Sequence, residues 1–319
     1  MPENKSRIKN MFMYSIPESE RKVLKTPKLV RSNSIITRDD LDNEIYGEIL
    51  SNFIDYMIKN FKDEDLTNFY NNVNSLTFNY DTETNNAAGE YSSVDNYINL
   101  ALNNIKDLSM VLPHELFHMS SSYRDKKSGL VYCGFAQFGG NRTNIGMGLM
   151  EGYTQLLTER YQENTDDIDQ FDEKFINHPY AVLSIASDMI EQVIGKEKMH
   201  SLYLRANLKG TIEELKKYSS SKEIMTFLGD LSYIYNSMCL GTTIPIYEAL
   251  HFMKVTNREV YFTKLLLLKK QKEAAKEGVI SNAQFKDLVD RYVVSVDNNP
   301  TMLPKMKLKE KNKAFELLK

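Results

Sequence analysis

The chain has 319 residues, enough for one large domain or two modest ones with a substantial core. Hydrophobic residues make up 42% of it and charged residues 26%, the composition of a soluble globular protein. The net charge of −3 is uneven, because residues 1–38 carry +6, residues 301–319 carry +4, and the residues between them carry −13. An acidic body lacks the clustered Lys and Arg that neutralise phosphates, so we expect no nucleic-acid partner.

The cysteines and the chain ends bear on cellular location. Cys133 and Cys239 are too few for a disulfide framework and favour a reduced, intracellular protein. The N-terminus lacks the apolar stretch of a secretory signal, and no window of about 18 residues is apolar throughout. We therefore expect a cytoplasmic protein without a membrane span; the sequence indicates no oligomeric state. Both basic ends are expected to be solvated and disordered, with contact to RNA or anionic lipid as the alternative.

The first half of the chain mixes helix and strand patterns. Apolar residues recur at every fourth position from Leu41 to Met57, which predicts a helix that begins at position 39 or 40. The segment DEDLTNFYNNV predicts a second helix. Period-two alternation in SLTFNYD and AAGEYSSVDNYINLAL predicts three short strands, the last of them Tyr97–Ala101. Helical pattern resumes near Asp107 and runs through VLPHELFHMSSSYR, and a glycine-rich, β-like segment follows.

The second half has an almost wholly helical pattern. One helix is predicted from Gly148–Glu151 to about Glu163, and helical segments follow one another from Pro179 onward. The fold class that these patterns predict is α+β, predominantly α-helical, with a three- or four-stranded sheet near the HELFH helix.

The segment HELFH matches the H-E-x-x-H pattern, in which two histidines one helical turn apart bind zinc. At about 100° per residue, His114 and His118 differ by only about 40° around the helix axis. Glu115 lies about 100° from His114, close enough to reach a metal-bound water without binding the metal. Pro113 fits a helix that begins close to it, and a kink is the alternative. The apolar side of the same helix is formed by Leu112, Leu116 and Tyr123.

A third metal ligand should come from a separate element, because catalytic zinc uses three protein ligands and one open position. Glu151 is the best candidate. Alone it would fit a capping glutamate in a first helical turn, but the upstream HELFH favours a ligand. Gln155 and Thr158 share its face, which is either exposed to solvent or supports the ligand.

The remaining histidines and cysteines have simpler interpretations. His178, at a helix start, is either a loop histidine or a donor to an oxyanion. His200 and His251 are expected to be packing or surface residues. Cys133 and Cys239 are expected in the core.

Together, HELFH and MEGYTQLLTERY resemble the gluzincin metallopeptidases, whose zinc is bound by two histidines and a glutamate on a following helix. AAGEYSSVDNYINLAL resembles the strand pair that precedes the active-site helix of zincin peptidases, so the resemblance covers about residues 75–165. It implies one Zn²⁺ bound by His114, His118 and Glu151, with Glu115 as general base.

The resemblance implies hydrolysis of a peptide or protein substrate. A substrate strand is expected to add to the sheet edge through Tyr97–Ala101. Gln155 stands where better-known gluzincins carry an acidic residue that supports the site. The candidate donors to the oxyanion are His178, Tyr180, Arg142 and Tyr153. One alternative is a non-catalytic, zinc-containing regulatory or protein-binding module with a vestigial peptidase site; another is a wholly structural helical protein without metal.

The predicted domain organisation follows from these assignments. A basic N-terminal segment (1–38) precedes a zincin-like metallopeptidase core (39–175). An α-helical C-terminal subdomain (176–298) is expected to complete the cleft, and a basic tail (299–319) ends the chain.

Overall fold

A computed structural model describes residues 28–31, 46–73, 75–81, 88–101, 108–138, 145–163, 180–239 and 246–319. These residues are mostly helical with small sheets, which confirms the predicted α+β class. They divide into two compact units. The first comprises described residues up to 138 together with 154–163 and 200–208, and the second comprises 145–153, 180–199 and the described residues from 209 to 319.

A four-stranded sheet lies in the first unit. Its strands are β1 (Lys28–Arg31), β2 (Thr77–Asp81), β3 (Gly89–Ser92) and β4 (Tyr97–Ala101), in the order β1-β2-β4-β3. β1, β2 and β4 are parallel, and β3 is antiparallel to β4. The prediction that Tyr97–Ala101 offers a free edge is wrong, because β4 forms backbone hydrogen bonds with β2 on one side and β3 on the other. Among the described strands, β3 is the edge on this side.

A small antiparallel sheet follows, made of β5 (Ser122–Arg124), β6 (Val131–Cys133) and β7 (Ala136–Phe138). The helical pattern through HELFHMSSSYR therefore ends earlier than predicted. The hydroxyls of Ser120 and Ser121 donate to the carbonyls of Leu116 and Phe117, local bonds that compete with further helix. Tyr123, predicted on the apolar side of the helix, lies on β5 instead and is 48% exposed.

Four helices accompany the sheets, α1 (Tyr46–Asn60), α2 (Thr67–Val73), α3 (Leu108–Ser120) and α4 (Met147–Glu163). Both predicted helices before the sheet are confirmed, although the start predicted at position 39 or 40 lies outside the described residues. Phe53 of α1 and Phe117 of α3 pack edge to face with ring centroids 4.8 Å apart. Tyr161 of α4 joins them, 5.7 Å from Phe53. These aromatic contacts pack α1, α3 and the second half of α4 against one another.

The rest of the described chain is helical, as predicted. Its helices are α5 (Ala181–Ile194), α6 (Lys196–Leu204), α7 (Leu208–Leu215), α8 (Ser221–Cys239), α9 (Ile246–Lys276), α10 (Asn282–Asp297) and α11 (Pro304–Glu316). Each helix of the described residues is too short or too polar to cross a lipid bilayer.

The C-terminal residues 301–319, expected to be a disordered tail, instead form α11 and its flanks. Met302 and Ala314 are buried in a hydrophobic cluster with residues of α9 and α10. Lys311 of α11 also pairs with Asp297 at 2.7 Å. The positive charge of this segment is therefore on the outer side of a packed helix, and charge alone was a poor guide to disorder here.

Pro113 is the sixth residue of α3, so the alternative in which the helix begins close to it is wrong. Proline has no N–H, and the carbonyl of Ser109 therefore loses its usual donor four residues later. The side chain of Gln162 on α4 supplies a replacement, because its Nε2 donates to the Ser109 carbonyl at 3.2 Å. The helix interior accommodates proline through a hydrogen bond from a neighbouring helix.

A double-mutant cycle tests this compensation. Gln162→Leu should lower the free energy of unfolding by about 0.5–1.5 kcal/mol, the usual contribution of one hydrogen bond. In a Pro113→Ala background the loss should be smaller, because position 113 regains an N–H that reaches Ser109. Urea unfolding of the four proteins measures the difference, and equal losses in both backgrounds would contradict the interpretation.

Glu259 of α9 is a buried carboxyl group in the second unit. Neither of its carboxyl oxygens has a hydrogen-bond partner among the described residues. Its neighbour Arg258 points elsewhere and donates through Nε to Asp230 of α8 at 2.5 Å. Burial, and secondarily the negative charge of Asp230, raises the pKa of Glu259 from 4.5 to about 8. The folded chain therefore holds this carboxyl in its neutral form.

The raised pKa predicts a specific dependence of stability on pH. Between pH 4.5 and about 8 the folded state retains a proton on Glu259 that the unfolded state releases, so this group's contribution to stability falls as pH rises. Glu259→Gln should therefore gain in melting temperature relative to the parent as pH increases from 5 to 8.5. Glu277→Gln, at an exposed position just beyond the same helix, is the control and should show no such trend. A Glu259→Gln difference that is constant with pH would refute the prediction.

Candidate metal centre

The two histidines of HELFH lie next to each other on α3. Their Nε2 atoms are 3.1 Å apart, and their ring centroids are 4.8 Å apart. This geometry follows from their spacing of four residues, which puts them on one side of the helix. His114 is 8% exposed and His118 is 6% exposed, so both imidazoles are almost completely removed from solvent.

Glu151 on α4 completes a cluster with these histidines. One ligand atom from each of His114, His118 and Glu151 lies within 4.8 Å of the others, and all three residues are buried. The structure thus brings together the three residues that the sequence predicted as ligands. Two imidazole nitrogens and one carboxylate oxygen could hold one metal ion.

Two glycines fix the part of α4 that carries Glu151. A Cβ added to Gly148 would lie 2.2 Å from the carbonyl oxygen of Leu231 on α8. A Cβ added to Gly152 would lie 2.2 Å from the carbonyl oxygen of Leu183 on α5. Both distances are far below any real contact, so only glycine permits this approach of the helix backbones. The N-terminal half of α4 is consequently held directly against two neighbouring helices.

The predicted base, Glu115, lies against the edge strand. It is 7% exposed, and a Cβ added to Gly89 of β3 would lie 3.2 Å from its Cγ and 3.4 Å from its Oε1. The same added atom would lie 2.4 Å from Cγ1 of Val111. The absence of a side chain at Gly89 therefore gives Glu115 and Val111 their space, and the strand backbone borders the carboxylate directly.

His118 has polar neighbours on the side of the ring away from His114. Its Nδ1 lies 3.4 Å from Oγ1 of Thr154 and 3.7 Å from Sγ of Cys133. The Thr154 hydroxyl is 2.6 Å from the hydroxyl of Tyr203, which is fully buried. Cys133 also donates to the carbonyl oxygen of His118 at 3.4 Å. Burial raises the pKa of Tyr203, which keeps the phenol protonated.

The face that Glu151 shares with Gln155 and Thr158 is buried, so the alternative of a solvent-exposed polar face is wrong. Gln155 Nε2 donates to Glu159 Oε1 at 3.1 Å, and Thr158 donates to the carbonyl of Thr154 at 2.8 Å. Gln155 is therefore directed at Glu159, and it is Thr154 that contacts a predicted metal ligand, His118.

The candidate donors to an oxyanion have different surroundings. Tyr153 is buried, and its hydroxyl donates to Oε2 of Glu191 at 2.6 Å, so its proton is already engaged. The Tyr180 ring stacks on Tyr235 with centroids 6.0 Å apart. His178 and Arg142 lie outside the described residues.

The remaining histidines and the cysteines mostly match their predictions. His200 packs against Phe61, with ring centroids 4.8 Å apart, and the exposed His251 lies edge-on to Tyr233. Cys133 is buried as expected, but sequence reasoning missed its contact with His118. The side chain of Cys239 lies outside the described part of the structure.

Several residues that shape the centre were not singled out from the sequence. The spacing of Gly148 and Gly152, one helical turn apart, was a usable signal for close helix packing. Gly89 precedes the turn of a predicted hairpin, and a single glycine in a strand often marks a close approach. Thr154 and Tyr203 left no local signal, because their importance depends on a contact between distant parts of the chain.

No protein-family model, no curated protein and no solved structure matches this chain. The residues of the centre and their geometry are therefore what indicate its chemistry.

The contact at Gly89 leads to a prediction about stability. Gly89→Ala should lower the free energy of unfolding by about 1–3 kcal/mol, because the added methyl group overlaps Val111. Val111→Ala in the same chain should recover part of that loss, since it removes the atom that the new methyl group meets. Urea unfolding of the single and double variants measures the coupling.

Gly229→Ala is a suitable control, because a Cβ at that helical position meets no atom within 4 Å. It should be neutral or stabilising. Strictly additive effects of Gly89→Ala and Val111→Ala would contradict the proposed overlap.

Proposed function

We propose that this chain is a zinc-dependent metallopeptidase of the gluzincin type, which hydrolyses peptide bonds in peptide or protein substrates. The observation that carries the proposal is the buried convergence of His114, His118 and Glu151 from two helices. In addition, the glutamate that follows the first histidine lies beside an edge strand.

The donor set fits zinc. Zinc binds imidazole nitrogen and carboxylate oxygen in tetrahedral sites with bonds of about 2.0–2.2 Å. Two nitrogens on such an ion are separated by about 3.3 Å, close to the 3.1 Å between the histidine Nε2 atoms. Three protein ligands leave one position open, the arrangement of catalytic rather than structural zinc sites. When bound, zinc would lower the pKa of a water molecule and polarise the carbonyl of a peptide bond.

Glu115 is the general base in this proposal. It follows His114 directly in the helix and so points to one side of the ligand pair rather than at the ion itself. Its carboxylate takes a proton from the attacking water and then delivers it to the amine that leaves. Burial near the centre gives this proton transfer a low-dielectric environment, in which charges interact more strongly than in water.

The substrate is bound as an extended segment along β3. This strand pairs with β4, and its other side carries no partner among the described strands. Backbone groups on a free edge recruit an extended peptide as an additional strand. Gly89 brings this edge into contact with Glu115, so a peptide paired there runs past the base. The candidate donors to the oxyanion remain His178, Arg142 and Tyr180, whereas the hydroxyl of Tyr153 already donates to Glu191.

The proposal is tested by substituting Glu115 while His114, His118 and Glu151 remain unchanged. Glu115→Gln should bind zinc with the same stoichiometry and a similar melting temperature, but peptide hydrolysis should fall at least 100-fold, because the amide accepts no proton. His118→Ala is the matched control and should lose zinc itself. Zinc content is measured on the purified proteins by atomic spectroscopy, and turnover is measured with a mixed peptide library.

The outcomes separate the proposal from its alternatives. Zinc bound by the parent without turnover of any peptide supports a regulatory or protein-binding module with a vestigial site. A parent that binds no zinc supports a structural helical protein. Full activity in Glu115→Gln would remove Glu115 from the mechanism.

A further inference from the structure

We infer that Thr154, supported by Tyr203, is the positioning residue that fixes His118 in the tautomer able to bind a metal. The inference deepens the proposed function and rests on it, since it concerns how one of the proposed ligands is held. The observation behind it is a chain of two contacts. Nδ1 of His118 lies next to Oγ1 of Thr154, and Oγ1 of Thr154 lies next to the hydroxyl oxygen of Tyr203.

The geometry around His118 requires its two ring nitrogens to have different roles. Nε2 faces Nε2 of His114 at 3.1 Å, so Nε2 is the atom that would bind a metal. A nitrogen that binds a metal carries no proton, so the neutral imidazole must carry its proton on Nδ1. An acceptor next to Nδ1 favours that tautomer, and in known metal sites such partners orient the ligand.

Thr154 and Cys133 each place an atom close enough to Nδ1 to accept a hydrogen bond, and the two atoms differ as acceptors. Cys133 Sγ is 3.7 Å away, and the thiol proton is directed to the carbonyl of His118. A thiol sulfur is a weak acceptor. Thr154 Oγ1 is nearer, at 3.4 Å, and a hydroxyl oxygen has two acceptor lone pairs. Thr154 is therefore the better partner for the Nδ1 proton.

Tyr203 keeps the Thr154 hydroxyl in place. The two oxygens are 2.6 Å apart, a short hydrogen bond between two buried groups. The Thr154 proton can go to the phenol oxygen, which leaves the lone pairs of Thr154 free to accept from His118. The Tyr203 ring is itself held by Phe135, edge to face, with centroids 5.5 Å apart. The tyrosine thus fixes the position of the threonine hydroxyl.

Thr154 lies one helical turn from Glu151 on α4, so a single helix carries one ligand and the support of another. The partner is a neutral hydroxyl rather than a carboxylate, and it orients the imidazole without adding negative charge beside the centre. The arrangement couples the orientation of His118 to the placement of the same helix that supplies Glu151.

The test compares zinc affinity across conservative variants of the full chain. Thr154→Val keeps the size of the side chain but removes the hydroxyl, and it should weaken zinc binding about 10- to 100-fold. Thr154→Ser restores the hydroxyl and should retain affinity close to that of the parent. Tyr203→Phe should weaken binding less than Thr154→Val, because the threonine can still accept. Affinities are measured by competition with a chelating indicator.

Two controls make the result specific. Thr263→Val removes a buried hydroxyl of α9 that donates to backbone carbonyls of its own helix, and it should leave zinc affinity unchanged. Cys133→Ala should also have little effect; a loss as large as that of Thr154→Val would make the thiol the acceptor and overturn the assignment.

A second readout does not depend on metal or activity. Nitrogen-15 NMR of the histidine side chains in metal-free protein should show His118 protonated on Nδ1 in the parent and in Thr154→Ser. The proton should shift toward Nε2 in Thr154→Val, or in Thr154→Ala if the valine variant does not fold, and it should shift less in Tyr203→Phe. The His118→Gln variant assigns the signal.

The failures are distinguishable. A parent that binds no zinc overturns both the proposed function and this inference. A parent that binds zinc, with a Thr154→Val variant that binds it equally well, overturns the inference alone and leaves the proposed function intact.

Discussion

Two imidazole nitrogens 3.1 Å apart in the protein interior are the constraint on which the rest of the centre depends. Removing polar groups from water costs free energy unless hydrogen-bond partners in the protein replace the lost hydration. His118 has such partners in Thr154 and Cys133, and Glu115 is buried beside the backbone of an edge strand. The centre is thus a buried polar network, and its members are useful only when their neighbours are fixed as well.

Glycines, rather than large side chains, position two of the elements that meet at the centre. Gly148 and Gly152 let α4 approach the carbonyls of two other helices, and Gly89 lets β3 approach α3. Backbones in such direct contact have little freedom to move apart or rotate, because no flexible side chain lies between them. Side chains presented from elements packed this closely are held to a defined geometry, which a metal ion bound by His114, His118 and Glu151 would require.

The parts of this site that could be predicted from the sequence are those set by the spacing of neighbouring residues. The parts that could not be predicted depend on contacts between distant residues. His114 and His118 were predictable because their spacing is one helical turn, and β3 and β4 because alternation is a property of neighbouring residues. Which strand forms the edge depends on pairing with distant residues, and the sequence of Tyr97–Ala101 does not indicate that strands pair on both of its sides. The partners of His118 were out of reach for the same reason, since Cys133 lies 15 positions away and Tyr203 lies 49 positions from Thr154.

Pro113, the proline directly before HELFH, has a consequence for the alignment of the two helices that carry His114, His118 and Glu151. A regular α3 would use the Ser109 carbonyl internally, and nothing would connect it to α4 at that point. The proline leaves this carbonyl available, and Gln162 uses it to join the two helices. The joint resists sliding of α3 along α4, a motion that would carry His114 and His118 past Glu151. The hydrogen bond that proline removes from α3 is thereby replaced by one that fixes the register of α3 against α4.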